Sequence, residues 1–235
     1  MRIALIGFGS MGQLVAHRAR SSGDEIGLTL TSADARETPE VLATRIIGHD
    51  VAIDFSTGDA VLRNIEACGR GAVPLIEGTT GWNAHAEEVR IVVEKYGAVM
   101  VYGANFSIGV NIFYRIVSYA AELFHSVSDY APFIEEAHHS RKRDAPSGTA
   151  LQLRELMAKQ LNTDIPIAST RAGSIPGTHR VGFDSAADQM TLTHMARSRE
   201  GFAAGALLAA HWVSGRKGFY EFSEVIDEIL KGSNV

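Results

Sequence analysis

The feature that most constrains this chain is a rhythm in its first hundred residues. Short apolar runs alternate with longer amphipathic stretches that end at glycine. The runs are RIALIG (2–7), EIGLTLT (25–31), VAIDFS (51–56), VPLIEG (73–78) and VMVYG (99–103). Being apolar at nearly every position, they suit strands covered on both faces, as the strands of a parallel sheet are. Between them, residues 13–22, 60–68 and 84–96 have helical patterning and stop at Gly23, Gly69 and Gly97. Glycine there accepts the left-handed turn that closes a helix. The alternation predicts an α/β fold, a Rossmann-type doubly wound parallel sheet. Segment 33–49 supports one small helix, over 39–44.

After Asn105 the rhythm changes. Val110, Phe113, Ile116, Val117, Ala120, Ala121 and Phe124 recur at helical spacing and predict a helix over 109–124. A strand (131–137), a helix (148–161) and three strand-like runs (165–170, 178–184, 189–196) follow. Helices over 201–213 and 222–230 close the chain. Met190, Leu192 and His194 alternate with polar neighbours, as in an antiparallel strand with one open face. The second half therefore reads as an α+β domain with a mixed or antiparallel sheet. No linker-like stretch separates it from the first.

Composition narrows the function classes. Apolar residues are 46% of the 235 and charged ones 21%, as in globular chains. A net charge of -5 argues against a nucleic-acid partner, which needs a basic field. One cysteine, Cys68, excludes an internal disulfide and a multi-thiolate metal site. The apolar run before the first glycines is too short for a secretion signal or a membrane span. These readings predict a soluble, cytoplasmic protein with no membrane partner.

Gly7-Phe8-Gly9-Ser10-Met11-Gly12 matches G-x-G-x-x-G directly after a strand and at the start of a helix. In that context the first glycine turns the chain, and the second lets the backbone approach a pyrophosphate. The third lets helix and strand pack closely, and the helix N-terminus offers N–H groups to the anion. A glycine-rich turn without a ligand would have the same look. An NAD site usually has an acid about 20 residues past the last glycine. Thr31 and Ser32 stand there instead, with Asp34 and Arg36 beyond. Hydroxyls and an arginine suit a 2′-phosphate, and Asp34 could still reach a ribose hydroxyl, so NADH and NADPH both remain open. Gly78, Thr79, Thr80 and Gly81 follow the fourth strand, and Gly103, Ala104, Asn105 and Phe106 the fifth. Ligands of open α/β sheets bind at such carboxyl ends, though ordinary loops lie there too.

The stretch EEAHHSRKRDAPSGTA (135–150) carries two histidines, three basic residues and a helix start. His138 and His139 would point to opposite faces of a continuing strand. They make a poor chelate, no third ligand follows at metal spacing, and no metal is expected. Asp144 or Ser147 can cap the helix, and Gly148 and Thr149 lie in its first turn, where an anion is favoured. Lysine, histidines and a helix N-terminus together suit a small dicarboxylate and a proton donor. A solvated basic loop would have similar composition.

Glu136 to Ala150, E-A-H-H-x-x-K-x-D-A-P-S-G-T-A, closely resembles the signature of the dihydrodipicolinate reductases of diaminopimelate–lysine biosynthesis. The glycine loop, G-T-T-G (78–81), A-N-F-S-I-G-V-N (104–111), G-S-I-P-G-T-H (173–179) and residues 194–199 match the family in order. The resemblance implies a nicotinamide oxidoreductase using NADH or NADPH, with hydride transfer followed by protonation of an enamine. It implies that His138 and Lys142 serve acid catalysis, with Lys142 the favoured donor, and that His139, Gly148 and Thr149 bind substrate carboxylates. The cofactor set is then Gly7, Gly9, Met11, Gly12, Thr31, Ser32, Gly78, Thr79, Thr80, Gly103, Asn105, Phe106 and Arg199. Residues 1–105, rejoined by 214–235, would bind the dinucleotide, and 106–213 would bind substrate and assemble a homotetramer. Two rivals fit the glycine loop alone: another Rossmann oxidoreductase, or a dinucleotide-binding redox sensor without catalysis. Neither accounts for residues 138–149.

Overall fold

The computed structural model describes residues 1–232; positions 233–235, the tail of the segment expected to return to the first domain, lie outside the described residues. In chain order the elements are β1 (Arg2–Ile6), α1 (Ser10–Ser21), β2 (Glu25–Leu30), α2 (Pro39–Ile46), β3 (Val51–Asp54), α3 (Val61–Gly71), β4 (Leu75–Glu77), α4 (Ala86–Tyr96) and β5 (Val99–Tyr102). Then come α5 (Ile108–Phe124), β6 (Ala131–His138), α6 (Gly148–Leu161), β7 (Ile167–Arg171), β8 (Gly177–Asp184) and β9 (Gln189–Ala196). The chain closes with α7 (Glu200–Trp212), β10 (Gly218–Glu221) and α8 (Phe222–Leu230). Two compact units result: Met1–Ile108 with the chain from Arg199 onward, and Gly109–Ser198.

The first unit is a six-stranded sheet in the order β10-β5-β4-β3-β1-β2, parallel throughout. Successive side chains of a strand point to opposite faces. Ile3, Leu5, Ile53, Ile76 and Val101 thus enter one core with α1, α7 and α8. Ala4, Ile6, Ala52, Leu75 and Met100 enter another with α2, α3 and α4. Burying one such leucine or isoleucine is worth about 1.5–3 kcal/mol, so the helices must cover both faces.

Two features depart from the sequence reading. Helix α7 was expected in the second domain, yet Ala203, Ala206 and Ala210 lie in the first unit's core. Its small residues allow close approach: a Cβ on Gly205 would stand 1.7 Å from the Phe106 carbonyl oxygen. The division therefore falls after Ile108 and after Ser198 rather than at 105 and 213. Strand β10 was not anticipated, because four residues carry too little pattern to signal a strand. Its Phe219 stacks on Tyr102 of β5 at 4.5 Å, which fixes the pairing.

The second unit is a mixed sheet in the order β7-β6-β8-β9, with β6 and β7 parallel and the other pairs antiparallel. Helices α5 and α6 cover one face, where Phe113, Val117, Leu153 and Met157 meet Ile134, Val181 and Phe183. Ile116, expected in the buried stripe of α5, is 48% exposed beside Tyr119 and Leu123. Among the described residues no helix is long and apolar enough to cross a membrane.

Candidate active site

In the first unit β1 ends at Ile6, and the Gly7 amide donates to the Leu30 carbonyl at 3.0 Å, tying the glycine turn to the end of β2. Gly7 has a φ of +87°, and a Cβ on Gly12 would lie 2.1 Å from the Gly7 carbonyl oxygen, so both positions need glycine. At Gly9, the N-cap of α1, a Cβ would meet nothing within 4 Å, and the first turn carries no acid. The backbone is thus open to an approaching anion, at a helix end whose dipole favours one. Residues 9–11, 55–58 and 78–80 enclose a cleft of about 300 Å³ around this turn. An open, acid-free glycine turn of this kind fits a dinucleotide pyrophosphate.

Of the expected cofactor residues, Gly9, Met11, Gly78, Thr79 and Thr80 line the cleft. Gly7 and Gly12 shape the turn. Phe106 does not line it: the ring is buried in the core, 4.6 Å from Phe222 and 6.4 Å from Phe55, so it backs the cleft through Phe55. Gly103 is buried against Phe106 and Phe222. Asn105 accepts from the Ser107 amide at 2.9 Å. Arg199 reaches back to the first turn of α1, 3.5 Å from Ser10 Oγ. Thr31 and Ser32 are exposed. Asp34 is engaged elsewhere: it accepts from the Thr31 amide at 2.7 Å and pairs with Arg45 at 2.7 Å. The Thr31 amide first, and Arg45 next, hold its carboxyl below the ordinary aspartate range. The loop after β3 (55–58) escaped the sequence reading, although the rule that singled out the ends of β4 and β5 applied equally to β3.

In the second unit, alternation along β6 puts Ile134, Glu136 and His138 on the helix-covered face. Register brings His179 of β8 opposite Glu136, and Arg171 of β7 beside His138. The Glu136 carboxylate is buried; it accepts from His138 Nδ1 at 2.5 Å and from Arg171 at 2.7 and 2.9 Å. Burial pushes the Glu136 carboxyl up, but Arg171, Ser169 and His138 outweigh it and hold it below its usual range. Burial also depresses the His138 imidazole, more than Glu136 raises it. His138 is thus neutral at pH 7, with its proton on Nδ1 and Nε2 left as an acceptor. His179 stands edge-on to His138, ring centres 5.2 Å apart, and its Nε2 is 2.9 Å from the Ser147 hydroxyl. Burial lowers His179 to about 4.

Ser147 is the N-cap of α6, its hydroxyl accepting from the Ala150 amide. Through it His179 holds the start of α6, with Gly148 and Thr149, beside His138. Lys142 pairs with Asp144 at 2.8 Å, and its charge is felt by both His138 and His179. Arg171 also donates to the Asp144 carbonyl, which ties the lysine loop to Glu136. His139 follows the strand, part-buried, with an unpartnered Nδ1. The structure therefore gathers His138, Lys142, Gly148 and Thr149 at one corner, and adds Glu136, Arg171 and His179. The last two are remote in sequence, and only strand register brings them in. Glu136, His138 and His179 present ligand-type atoms within 4.8 Å of one another. Arg171 already engages both Glu136 oxygens, so the cluster is built as a hydrogen-bond network rather than a cation site.

Comparison with known proteins gives a consistent result. Family models described as dihydrodipicolinate reductase, N-terminus, and dihydrodipicolinate reductase, C-terminus, match residues 1–106 and 109–226. The 4-hydroxy-tetrahydrodipicolinate reductase of Christiangramia forsetii is 35% identical over 98% of this chain and 100% of its own length. That of Archaeoglobus fulgidus is 33% identical over 97% and 100%. A dipicolinate-bound dihydrodipicolinate reductase from Paenisporosarcina sp. TG-14 shares the fold, with a TM-score of 0.79 at 23% identity over 96% of this chain and 99% of that one.

Proposed function

The chain belongs to the dihydrodipicolinate reductase family, and from that premise we infer that it reduces 4-hydroxy-tetrahydrodipicolinate to tetrahydrodipicolinate with NADH or NADPH, in diaminopimelate and lysine biosynthesis. The observation that carries this reading is the corner formed by Lys142, His138 and the start of α6, which meets the needs of a small dicarboxylate that must gain a proton.

The dinucleotide is held by Gly9, Met11 and residues 78–80, on a turn shaped by Gly7 and Gly12. Gly103, Asn105 and Phe106 support it from behind, and Thr31, Ser32 and Arg199 stand at its margins. When bound, the nicotinamide supplies a hydride to the substrate ring. His139, Gly148 and Thr149 hold the substrate carboxylates at the N-terminal turn of α6, where the helix dipole favours an anion. Lys142 Nζ delivers a proton to the enamine carbon. Neutral His138, its Nδ1–H committed to Glu136, offers Nε2 as an acceptor that orients the substrate. Lysine is therefore the acid and histidine the orienting base.

Thr31, Ser32 and exposed Arg36 beside an occupied Asp34 support acceptance of the 2′-phosphate of NADPH as well as NADH. We assign the open face of the second sheet, with Thr178, Arg180, Thr193 and Met195, to a homotetramer contact; Met195 is 53% exposed there. A cytoplasmic location suits the one cysteine, Cys68, a thiol that burial keeps protonated.

The test is oxidation of NADH and of NADPH, followed by absorbance, with substrate formed in situ by enzymatic condensation of pyruvate with aspartate semialdehyde. Oxidation that depends on the condensing enzyme is expected with both cofactors. Dinucleotide binding without any coupled oxidation would reopen the sensor reading.

A further inference from the structure

Beneath the dinucleotide cleft lie two acids that the reaction does not use. Asp54 ends β3 and Glu77 ends β4, and they are register partners on adjacent parallel strands. Both are 0% exposed. Asp54 Oδ1 accepts from the Ser56 amide at 2.7 Å and lies 3.5 Å from the Thr79 hydroxyl. Its Oδ2 accepts from Asn64 Nδ2 at 2.6 Å. Glu77 Oε1 accepts from the Thr79 amide at 2.6 Å, while Oε2 has no donor from any N–H or hydroxyl. The two carboxyl groups sit side by side on one face of the sheet, and the bare Glu77 Oε2 is the atom left to meet Asp54.

Ionised carboxylates only accept, so a bond between two of them requires a proton. Asp54 already gathers three donors and Glu77 one, which places the proton on Glu77. We propose that Asp54 and protonated Glu77 form a proton-sharing pair that positions the loops receiving the dinucleotide. Charge agrees with this assignment. Burial, then the neighbouring Asp54, pushes the Glu77 carboxyl well above its ordinary range. Among the described residues no cation contacts either acid; Cys68 faces the pair from α3, and Tyr102 is the strand neighbour of Glu77 on β5.

The pair is the hub of a longer chain of contacts. Arg63 donates to Asn64 Oδ1 at 2.9 and 3.1 Å and also reaches the carbonyls of Asp34 and Ala35. Asn64 passes the connection to Asp54. The loops after β2, β3 and β4 therefore hang on one buried carboxylate, and two of them, 55–58 and 78–80, line the cleft. Asp54 and Glu77 touch no ligand themselves. They are positioning residues, acting through Ser56 and Thr79.

This inference rests on the reading that the cleft binds the dinucleotide, and the two can be tested apart. Glutamine pairs an accepting oxygen with a donating nitrogen, as protonated glutamate pairs a carbonyl with a hydroxyl, so Glu77→Gln should keep the NADH dissociation constant within about twofold of wild type. Asp54→Asn places an amide donor against Asn64 Nδ2 and leaves Glu77 without an acceptor, and should weaken NADH about tenfold. Infrared difference spectra of the whole protein at neutral pH should show the carbonyl band of a protonated carboxylic acid in wild type and not in Glu77→Gln. Lack of that band in wild type would overturn the pair, as would a Glu77→Gln variant that binds NADH as weakly as Asp54→Asn. Should Asp54→Asn not fold, the band and the glutamine variant still decide. Wild type that shows the band but binds no NADH would sink the cofactor reading while leaving the shared proton in place.

Discussion

His138 and Lys142 are proposed from their motif, with Lys142 favoured as donor; the support for that division of labour comes from neighbours that the fold adds. It depends on Glu136, two positions back on the same strand face, and on Arg171, which arrives from β7 only through strand register. On the proposed reading, Nδ1–H is fixed on the Glu136 carboxylate, the imidazole accepts at Nε2, and Lys142 is the donor. Lys142→Ala should therefore lower kcat by about 10²–10⁴-fold while leaving the NADH dissociation constant near wild type, as read by steady-state kinetics and fluorescence titration. His139→Ala should chiefly raise the KM for substrate, through loss of a carboxylate contact. His179 gives a prediction of its own sign. Its ordinary value is 6.5 and its folded value about 4, so between these the unfolded chain binds a proton that the folded one refuses. Its contribution is intact above pH 6.5 and is lost as pH falls toward 4, costing about 3 kcal/mol when complete. Glu136, His138, His194 and Lys142 all bear on the same ring. Urea unfolding of His179→Gln should show a shallower decline over that acid range than wild type.

Among the elements, the sheet of the first unit was readable because buried parallel strands are apolar on both faces, as VAID and VMVY are. Strand β10 was not, because GFYE pairs with β5 through ring stacking that no local pattern announces. Helix α7 was recognised as a helix, yet its place was misjudged. An alanine-rich helix fits any tight site, and what decides is Gly205 lying against the Phe106 carbonyl. Gly205→Ala should force the helix away from the loop that follows β5 and destabilise the protein by about 3 kcal/mol, measured as a lower midpoint in chemical unfolding. At the cleft, the loops after β1 and β4 were visible in their glycines. The loop after β3 was missed because Phe55, Ser56 and Thr57 carry no such mark; the buried Asp54 before them gives them their importance.

For the whole molecule, the open sheet face of the second unit belongs to the proposed assembly of four chains. Met195→Glu places a charge on that face, and light scattering should find particles smaller than those of wild type; an unchanged mass would remove this face from the contact. The order of the parts along the chain has a different consequence, one for biosynthesis. The second unit is a single uninterrupted segment, Gly109–Ser198, whereas the first is split around it. A ribosome releases the strands β1 to β5 early, but α7, β10 and α8 emerge only after the entire inserted unit. Until then Ile3, Leu5, Ile53 and Ile76 have α1 but lack α7 and α8, and β5 is an uncapped sheet edge. The nascent chain thus finishes its later unit before its earlier one, and the interval between is when it most needs a chaperone.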